Sequence, residues 1–284
     1  MAATEVRRLA VLGHPIAHSK SPALHTAAYA ALGLPWSYGT ADVESGSLGQ
    51  FIDELGDEWR GLSLTMPLKR EALPLLAGVD EHVMLSGAAN TVLLDRQGGR
   101  ATLRGFNTDV RGVIEALRGA GVTEVATARI LGGGATAASV LIALDRLGVE
   151  RVAIAVRAPE KLGQLIAIAE QLDIELSIET LGGVDSGPDV EVVISTLPNG
   201  AEVAVSAGDP TGRVLLDVAY QPWPTPLAAV WLAGGGVVVP GLEMLAHQAL
   251  AQVRIFVGGS QDAALPDEDA VFSAMRHAVG LASL

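Results

Sequence analysis

The stretch "ARILGGGATAASVLIALDRLG", residues 128–148, decides the fold. A short strand pattern enters three glycines, and a helical pattern follows at once. Gly132-x-Gly134-x-x-Ala137 between a strand and a helix is what a dinucleotide site needs. The first glycine makes a tight turn, the second lets the backbone approach a pyrophosphate, and the third small residue lets helix and strand pack closely. The helix N-terminus then faces the phosphates. A tight strand–helix turn that holds no ligand is the plainer reading of the same residues.

Just downstream, "RVAIAVR" (151–157) reads as the second strand of the unit. Sites for NAD usually place Asp or Glu at the end of that strand, on the ribose 2′-hydroxyl. Here Arg157 stands there, and a cation suits the 2′-phosphate of NADP. Lys161 lies four residues on and adds charge. A helix at 159–172 and strands at 190–196 and 213–220 continue the βα alternation.

Upstream, some 105 residues precede the glycine turn, enough for a separate domain. They alternate as well. Strands are expected at "RLAVLG", "WSYGTADV", "RGLSLT" and "NTVLLD". Helices are expected at "SPALHTAAYAALG", "SLGQFIDELG" and, after Pro67, "LKREALPLLAG". The tail from about Gly241 reads as two helices, 242–258 and 266–280. The expected fold is therefore α/β in two domains, an N-terminal substrate domain with a mainly parallel sheet and a Rossmann-like domain. The substrate domain spans 1–104 and is completed by C-terminal helices within 242–284; the nucleotide domain spans 105–241.

Composition narrows the function. Hydrophobic residues at 49% and charged residues at 18% indicate a globular chain. A net charge of −13 argues against a nucleic-acid surface, so any anionic ligand must be held by a local arrangement. The absence of cysteine excludes disulfides and cysteine-ligated metal. The N-terminus lacks a signal-peptide pattern. The uncharged run 218–242 carries four prolines and a triple glycine, which argues against a membrane helix. A cytoplasmic location without membrane contact is expected, and a homodimer is compatible with it.

The chain has only three lysines, Lys20, Lys69 and Lys161, against 16 arginines. Lysine can be tuned to give and take a proton, whereas arginine effectively cannot. Lys69 sits one turn into a helix after a strand, at the edge where α/β proteins place ligands. Asp109, in "GFNTDVRG", opens another helix; an N-cap and a catalytic role are both open for it, and they are compatible. A lysine beside an aspartate is held protonated, which suits a proton donor to the alkoxide that forms as a carbonyl accepts hydride.

Taken together, "GHPIAHSKSPALH", "GLSLTMPLK", "GAANTV", "GFNTDVRG", "LGGGATAAS", "STLPNG", "DVAYQPWPTPL" and "GLEMLAHQA" resemble the shikimate dehydrogenases, in that family's order and over nearly the whole chain. The resemblance implies a two-domain enzyme that reduces 3-dehydroshikimate to shikimate with NADPH, on the route to aromatic amino acids. By position, Lys69 matches the family's catalytic lysine and Asp109 its partner. Ser19 and Ser21 match the serines on the substrate carboxylate. Thr65, Asn90 and Gln248 match groups on its ring hydroxyls, and Tyr220 matches a tyrosine that meets the substrate. Gly132, Gly133, Gly134, Ala135 and Thr136, with Arg157 and Lys161, match cofactor contacts. Val218 and Gly241 fall near the nicotinamide, and Glu81 where an acidic residue is expected near the cofactor. Departures are Ser63 and Thr26 where Asn is usual, Ala135 at a glycine position, and Val156 in place of Asn.

In "GHPIAHSKSP" (13–22), a metal cage is disfavoured because Pro15 makes the stretch a loop, and a Ser–His nucleophile has no glycine elbow. A carboxylate cradle remains: two hydroxyls and a helix N-terminus. The histidines are expected to be buried hydrogen-bonders that shape the loop, and Lys20 to point away. A quinate/shikimate-type relative acting on a similar cyclic hydroxy acid, and a catalytically silent NADP-binding regulator, are the alternatives. Arg157 argues against an NAD-preferring relative, and the Lys69–Asp109 pair against silence.

Overall fold

The computed structural model describes residues 5–95, 101–181, 190–198, 200–201 and 209–282. In chain order the first elements are β1 (Arg7–Gly13), α1 (Ser21–Ala31), β2 (Trp36–Asp42), α2 (Leu48–Asp53), β3 (Trp59–Leu64) and α3 (Leu68–Glu71). Next come β4 (Gly78–Val79), α4 (Glu81–Ser86), β5 (Thr91–Asp95) and β6 (Thr102–Phe106). Then follow α5 (Asp109–Gly119), β7 (Thr127–Leu131), α6 (Ala135–Asp145), β8 (Arg151–Val156), α7 (Gly163–Gln171), β9 (Glu175–Thr180) and β10 (Val192–Ser195). β11 (Val214–Asp217), α8 (Pro226–Ala233), β12 (Val237–Pro240), α9 (Gly241–Gly258) and α10 (Glu268–Ala278) complete the chain. The chain divides into two compact units, Met1–Thr108 with Leu245–Leu284, and Asp109–Met244. These divisions fall slightly C-terminal of those expected at 104 and 241.

The first unit carries a six-stranded sheet in the order β2-β1-β3-β5-β6-β4. β1 runs parallel to β2 and β3, and β4 to β6, whereas β5 is antiparallel to both β3 and β6. The apolar run of β1 is explained by burial on both faces. Leu9 and Val11 pack with Leu24 and Ala28 of α1, Phe256 of α9 and Met275 of α10. Ala10 and Leu12 turn the other way, onto Leu48, Leu62, Leu64 and Leu68.

The second unit carries a wholly parallel sheet in the order β12-β11-β10-β7-β8-β9. The chain winds outward from β7 through β8 to β9, returns to β10 beside β7, and winds outward again. The reversal lies between β7 and β10, the position where doubly wound sheets open a crevice at their strand ends. The uncharged run 218–242 resolves into a loop, the eight-residue α8, and β12. No helix among the described residues is long and apolar enough to cross a membrane.

Several elements differ from expectation. The helix expected over 68–78 stops at Glu71, and Pro74 falls in a separate 3-10 turn at Leu73–Leu75, as a ring without an N–H dictates. The helix expected over 159–172 likewise splits, into a 3-10 turn at Pro159–Lys161 and α7. β4, α4, β6, β9, α8 and β12 were not anticipated. β6 and β9 lack an apolar run: β6 mixes exposed and buried positions, and every position of β9 is exposed or half-buried.

Candidate functional site

In the first unit the C-terminal ends of β1, β3 and β6 and the start of β5 share one edge of the sheet. Leu12 pairs with Leu64, Ser63 with Thr91, and Thr91 with Phe106. Every substrate residue expected in this unit leaves from that edge or from α9. Ser19 and Ser21 follow β1, Thr65 and Lys69 follow β3, Asn90 precedes β5, and Thr108 follows β6.

Close backbone contacts hold these loops together. The N–H of His14 donates to the Met66 carbonyl at 3.0 Å, and that of Thr65 to the Leu12 carbonyl at 2.9 Å. A Cβ at Gly13 would overlap the Thr65 methyl, so only glycine permits this approach. The Lys69 carbonyl accepts from Ala89 N–H at 2.8 Å, and the Asn90 carbonyl accepts from Leu64 N–H at 2.7 Å. Lys69 is thereby anchored beside Asn90, on the second residue of α3, half-buried.

Asn90 is itself buried. Its Nδ2 donates to Thr108 Oγ1 at 2.9 Å and to Gln248 Oε1 at 3.2 Å, and its Oδ1 accepts from Thr108 N–H at 2.9 Å. The structure thus brings together Asn90 and Gln248, residues 158 positions apart in sequence. Asp109 is buried and follows Thr108 directly as the first residue of α5, inside the helix rather than flanking it.

The cradle loop departs in part from expectation. Ser21 is buried at the start of α1, and its N–H donates to Ser19 Oγ at 3.3 Å. Lys20 is exposed, as expected. Of the three histidines only His25 is a buried hydrogen-bonder. His18 is exposed. His14 is exposed and pairs through Nδ1 with Asp42 Oδ1 at 2.5 Å. The hydrogen bond and charge of Asp42 raise the pKa of His14 above its ordinary value. The difference arises because His14 and His18 leave the end of β1 outside both cores, while His25 faces inward one turn into α1.

His25 stacks on Tyr38 with ring centroids 4.0 Å apart. Burial lowers its pKa to about 3, so it is neutral. Its ring nitrogens contact Gln252 Oε1 and Tyr29 Oη, each at 3.1 Å. Ser63, one of the departures from the family pattern, accepts from Tyr38 Oη at 2.6 Å and donates to Gln252 Oε1 at 2.8 Å. Gln252 was not singled out from sequence. Its signal was the spacing of four from Gln248, which puts both amides on one face of α9.

In the second unit, β7 delivers the glycine turn to the point where the strand order reverses. Gly132 has φ +107°, and a Cβ there would strike Thr196 Oγ1 from the end of β10. A Cβ at Gly133 would press on Leu162 and Val156. Gly134 flanks α6 with open space above it, and Ala135 and Thr136 are the first residues of that helix. Ala137 is fully buried, which allows α6 to pack close. These residues fit a pyrophosphate: the backbone is accessible, and the first N–H groups of α6 face outward.

Arg157 and Lys161 are both exposed beyond the end of β8, the neighbour of β7. Val218 and Gly241, at the ends of β11 and β12, approach so closely that a Cβ on Gly241 would overlap the Val218 carbonyl. Tyr220 is half-buried in the loop after β11, and its pKa is raised by burial. That loop is tied down by Asp217, which sequence reading also missed. The buried Asp217 carboxylate accepts from Thr225 Oγ1 at 2.5 Å and from Ala219 N–H at 3.3 Å. Glu81 is exposed at the start of α4 in the first unit. Asn199 of "STLPNG" lies outside the described residues.

Residues 11–92 match the shikimate dehydrogenase substrate binding domain. Over 281 residues the chain is 34% identical to the shikimate dehydrogenase (NADP(+)) of Rubrobacter xylanophilus, covering 91% of this chain and 93% of that one. The chain belongs to the shikimate dehydrogenase family. Among solved shikimate dehydrogenases, that of Mycobacterium tuberculosis is 36% identical with a TM-score of 0.80, over 95% of this chain and 99% of that one. The Thermus thermophilus shikimate dehydrogenase, solved with NADP(H) and shikimate, is 33% identical with a TM-score of 0.79, over 96% and 99%. The two sheets described above are thus those of shikimate dehydrogenases, and the polar edge of the first unit lies in and beside the stretch matched to the substrate binding domain.

Proposed function

We propose that this chain is an NADP-dependent shikimate dehydrogenase that interconverts 3-dehydroshikimate and shikimate. The observation that carries the reading is the gathering of Ser19, Ser21, Thr65, Lys69, Asn90 and Gln248 at one sheet edge and its flanking helix in a member of this family. Ser19 and Ser21, with the first N–H groups of α1, bind the carboxylate. Thr65, Asn90 and Gln248 orient the ring hydroxyls, and Tyr220 adds a contact. NADPH supplies the hydride when bound, held by the turn at 132–136, with Arg157 and Lys161 on its 2′-phosphate, Val218 and Gly241 near its nicotinamide, and Glu81 as a further contact. Lys69 gives a proton to the carbonyl oxygen as that oxygen gains charge, and takes it back in the reverse direction. Asp109 is its partner, holding the lysine charged and oriented. In this reading residues 1–104 with 242–284 form the substrate domain and 105–241 the cofactor domain.

The test is the change in absorbance of the reduced nicotinamide, NADPH or NADH, with purified protein, using shikimate and quinate, each with NADP or NAD. Turnover of shikimate with NADP above the other three pairs is expected. Faster oxidation of quinate would assign the chain to the quinate-type alternative. NADPH binding without turnover would make it a silent regulator.

A further inference from the structure

Gln252 lies 2% exposed on α9, below the residues assigned to substrate. Its side-chain amide has two N–H donors and two acceptor lone pairs, and all four are used. Nε2 donates to the Asn90 carbonyl at 3.2 Å and to Thr91 Oγ1 at 2.9 Å. Oε1 accepts from Ser63 Oγ at 2.8 Å and faces His25 Nε2 at 3.1 Å. Nothing on this amide is left to bind a ligand, so its effect on a ligand must pass through its partners.

The proton order around it is determined. The Asn90 carbonyl can only accept, so the Gln252 NH₂ must face it and the Gln252 oxygen must face Ser63 and His25. His25 therefore carries its hydrogen on Nε2, and Nδ1 accepts from Tyr29 Oη. Ser63 accepts from Tyr38 Oη and gives its own hydrogen to Gln252. On the far side, Thr91 Oγ1 accepts from Gln252 and so gives its hydrogen to Asn90 Oδ1 at 2.8 Å. Asn90 Oδ1 also accepts from Thr108 N–H. With two donors aimed at it, that end of the Asn90 amide must be the oxygen. Its NH₂ is thereby turned toward Thr108 and Gln248. A flipped Asn90 would set its NH₂ against the Thr108 N–H, leaving buried donors unpaired, which is unfavourable.

We infer that Gln252 is a positioning residue for the substrate site: through Thr91 it supplies the second donor that, beside the Thr108 N–H, locks the face of the Asn90 amide presented at the sheet edge. This rests on the shikimate dehydrogenase reading for its kinetic readout, but the Asn90 orientation can be observed without turnover. Ser63 belongs to the same device. Its hydroxyl bonds to the Gln252 amide, which thereby links β3, β5, α1 and α9.

The experiment compares wild type, Gln252→Met, Thr91→Val, Asn90→Ala and the Gln252→Met/Asn90→Ala double variant. Gln252→Met preserves volume and removes the amide. Thr91→Val breaks the relay while leaving Gln252 in place, and serves if Gln252→Met does not fold. Shikimate KM is expected to rise about tenfold or more in each single variant, with NADP KM within about twofold of wild type. In the Asn90→Ala background, Gln252→Met should add less than about threefold, because both act on one contact. Independently, the Asn90 side-chain amide resonances of the folded wild type should be slow to exchange with solvent, and should shift and exchange faster in Thr91→Val. Unchanged shikimate KM together with unchanged Asn90 resonances in folded Thr91→Val would overturn the inference, as would fully multiplicative effects in the double variant. An inactive wild type would overturn the enzyme reading alone, and the resonances would still decide the role of Gln252.

Discussion

Arg157→Ala tests the cofactor assignment most directly. Arg157 lies exposed one residue past β8, and β8 neighbours the strand that ends in the glycine turn. A hydrogen bond to a charged group contributes about 1.5–3 kcal/mol. Because the guanidinium is in water rather than buried, the lower end applies. A loss of about 1.5 kcal/mol corresponds to roughly a tenfold fall in kcat/KM for NADP. NAD lacks the 2′-phosphate, so its kcat/KM should stay within about twofold. Lys161 is exposed at the end of the next turn, and the double variant Arg157→Ala/Lys161→Ala should lose about a hundredfold for NADP. The assay is steady-state oxidation of saturating shikimate with NADP and NAD, at low and at about 0.5 M salt. Screening over a Debye length of about 4–10 Å should erase part of the wild-type preference and little of what remains in the double variant. A double variant that keeps the wild-type NADP/NAD ratio would refute the reasoning, because these two cations would then not meet the 2′-phosphate.

Three further outcomes are expected. Lys69→Ala should lower kcat by about 10²–10⁴ with only a modest change in shikimate affinity, measured by equilibrium titration; equal loss of binding and rate would make its role mainly binding. Gly132→Ala places a side chain at φ +107° against Thr196, so it should destabilise the second unit by about 1–3 kcal/mol in urea unfolding and weaken NADP binding. The two histidines His14 and His25 should show opposite pH linkage. The His14 pKa is raised in the folded state by Asp42, so the stability it contributes is full below the unfolded pKa of about 6.5 and is lost as pH rises through the folded value. The His25 pKa is lowered to about 3 by burial. Its contribution is therefore present above about pH 6.5 and lost as pH falls toward 3, with a limiting slope of about 1.4 kcal/mol per pH unit. Urea unfolding against pH should thus show a gap between wild type and Asp42→Asn that closes on the alkaline side, and an acid limb that flattens in His25→Phe.

The alternation of short apolar runs with helical periods already specified two α/β layers, because strands buried on both faces leave continuous apolar segments such as 9–12 and 152–156. The glycine turn was legible for a similar reason. A backbone at φ +107° pressed against Thr196 admits little besides glycine, and that restriction shows in the sequence. Lys69 was legible as a rare lysine just past a strand, whereas Asn90 was legible only through the family resemblance. What could not be read was pairing. β5 and β6 form an antiparallel strand pair, yet a strand's direction relative to its neighbours leaves no local mark. β6 and β9 were hidden because their exposed positions mask any apolar run.

By itself, then, the sequence determined the layers, the dinucleotide turn and the family's polar motifs, since each depends on neighbours a few residues apart. Only the tertiary structure decided how the polar groups are paired. Gln252 meets Asn90 across 162 positions and Ser63 across 189, and such partners are chosen by packing, not by spacing along the chain. The same packing separated three similar-looking histidines into two exposed ones and a neutral core residue. Burial, which no short stretch encodes, keeps His25 neutral, and the distant Asn90 carbonyl sets the direction of the hydrogen bonds around it.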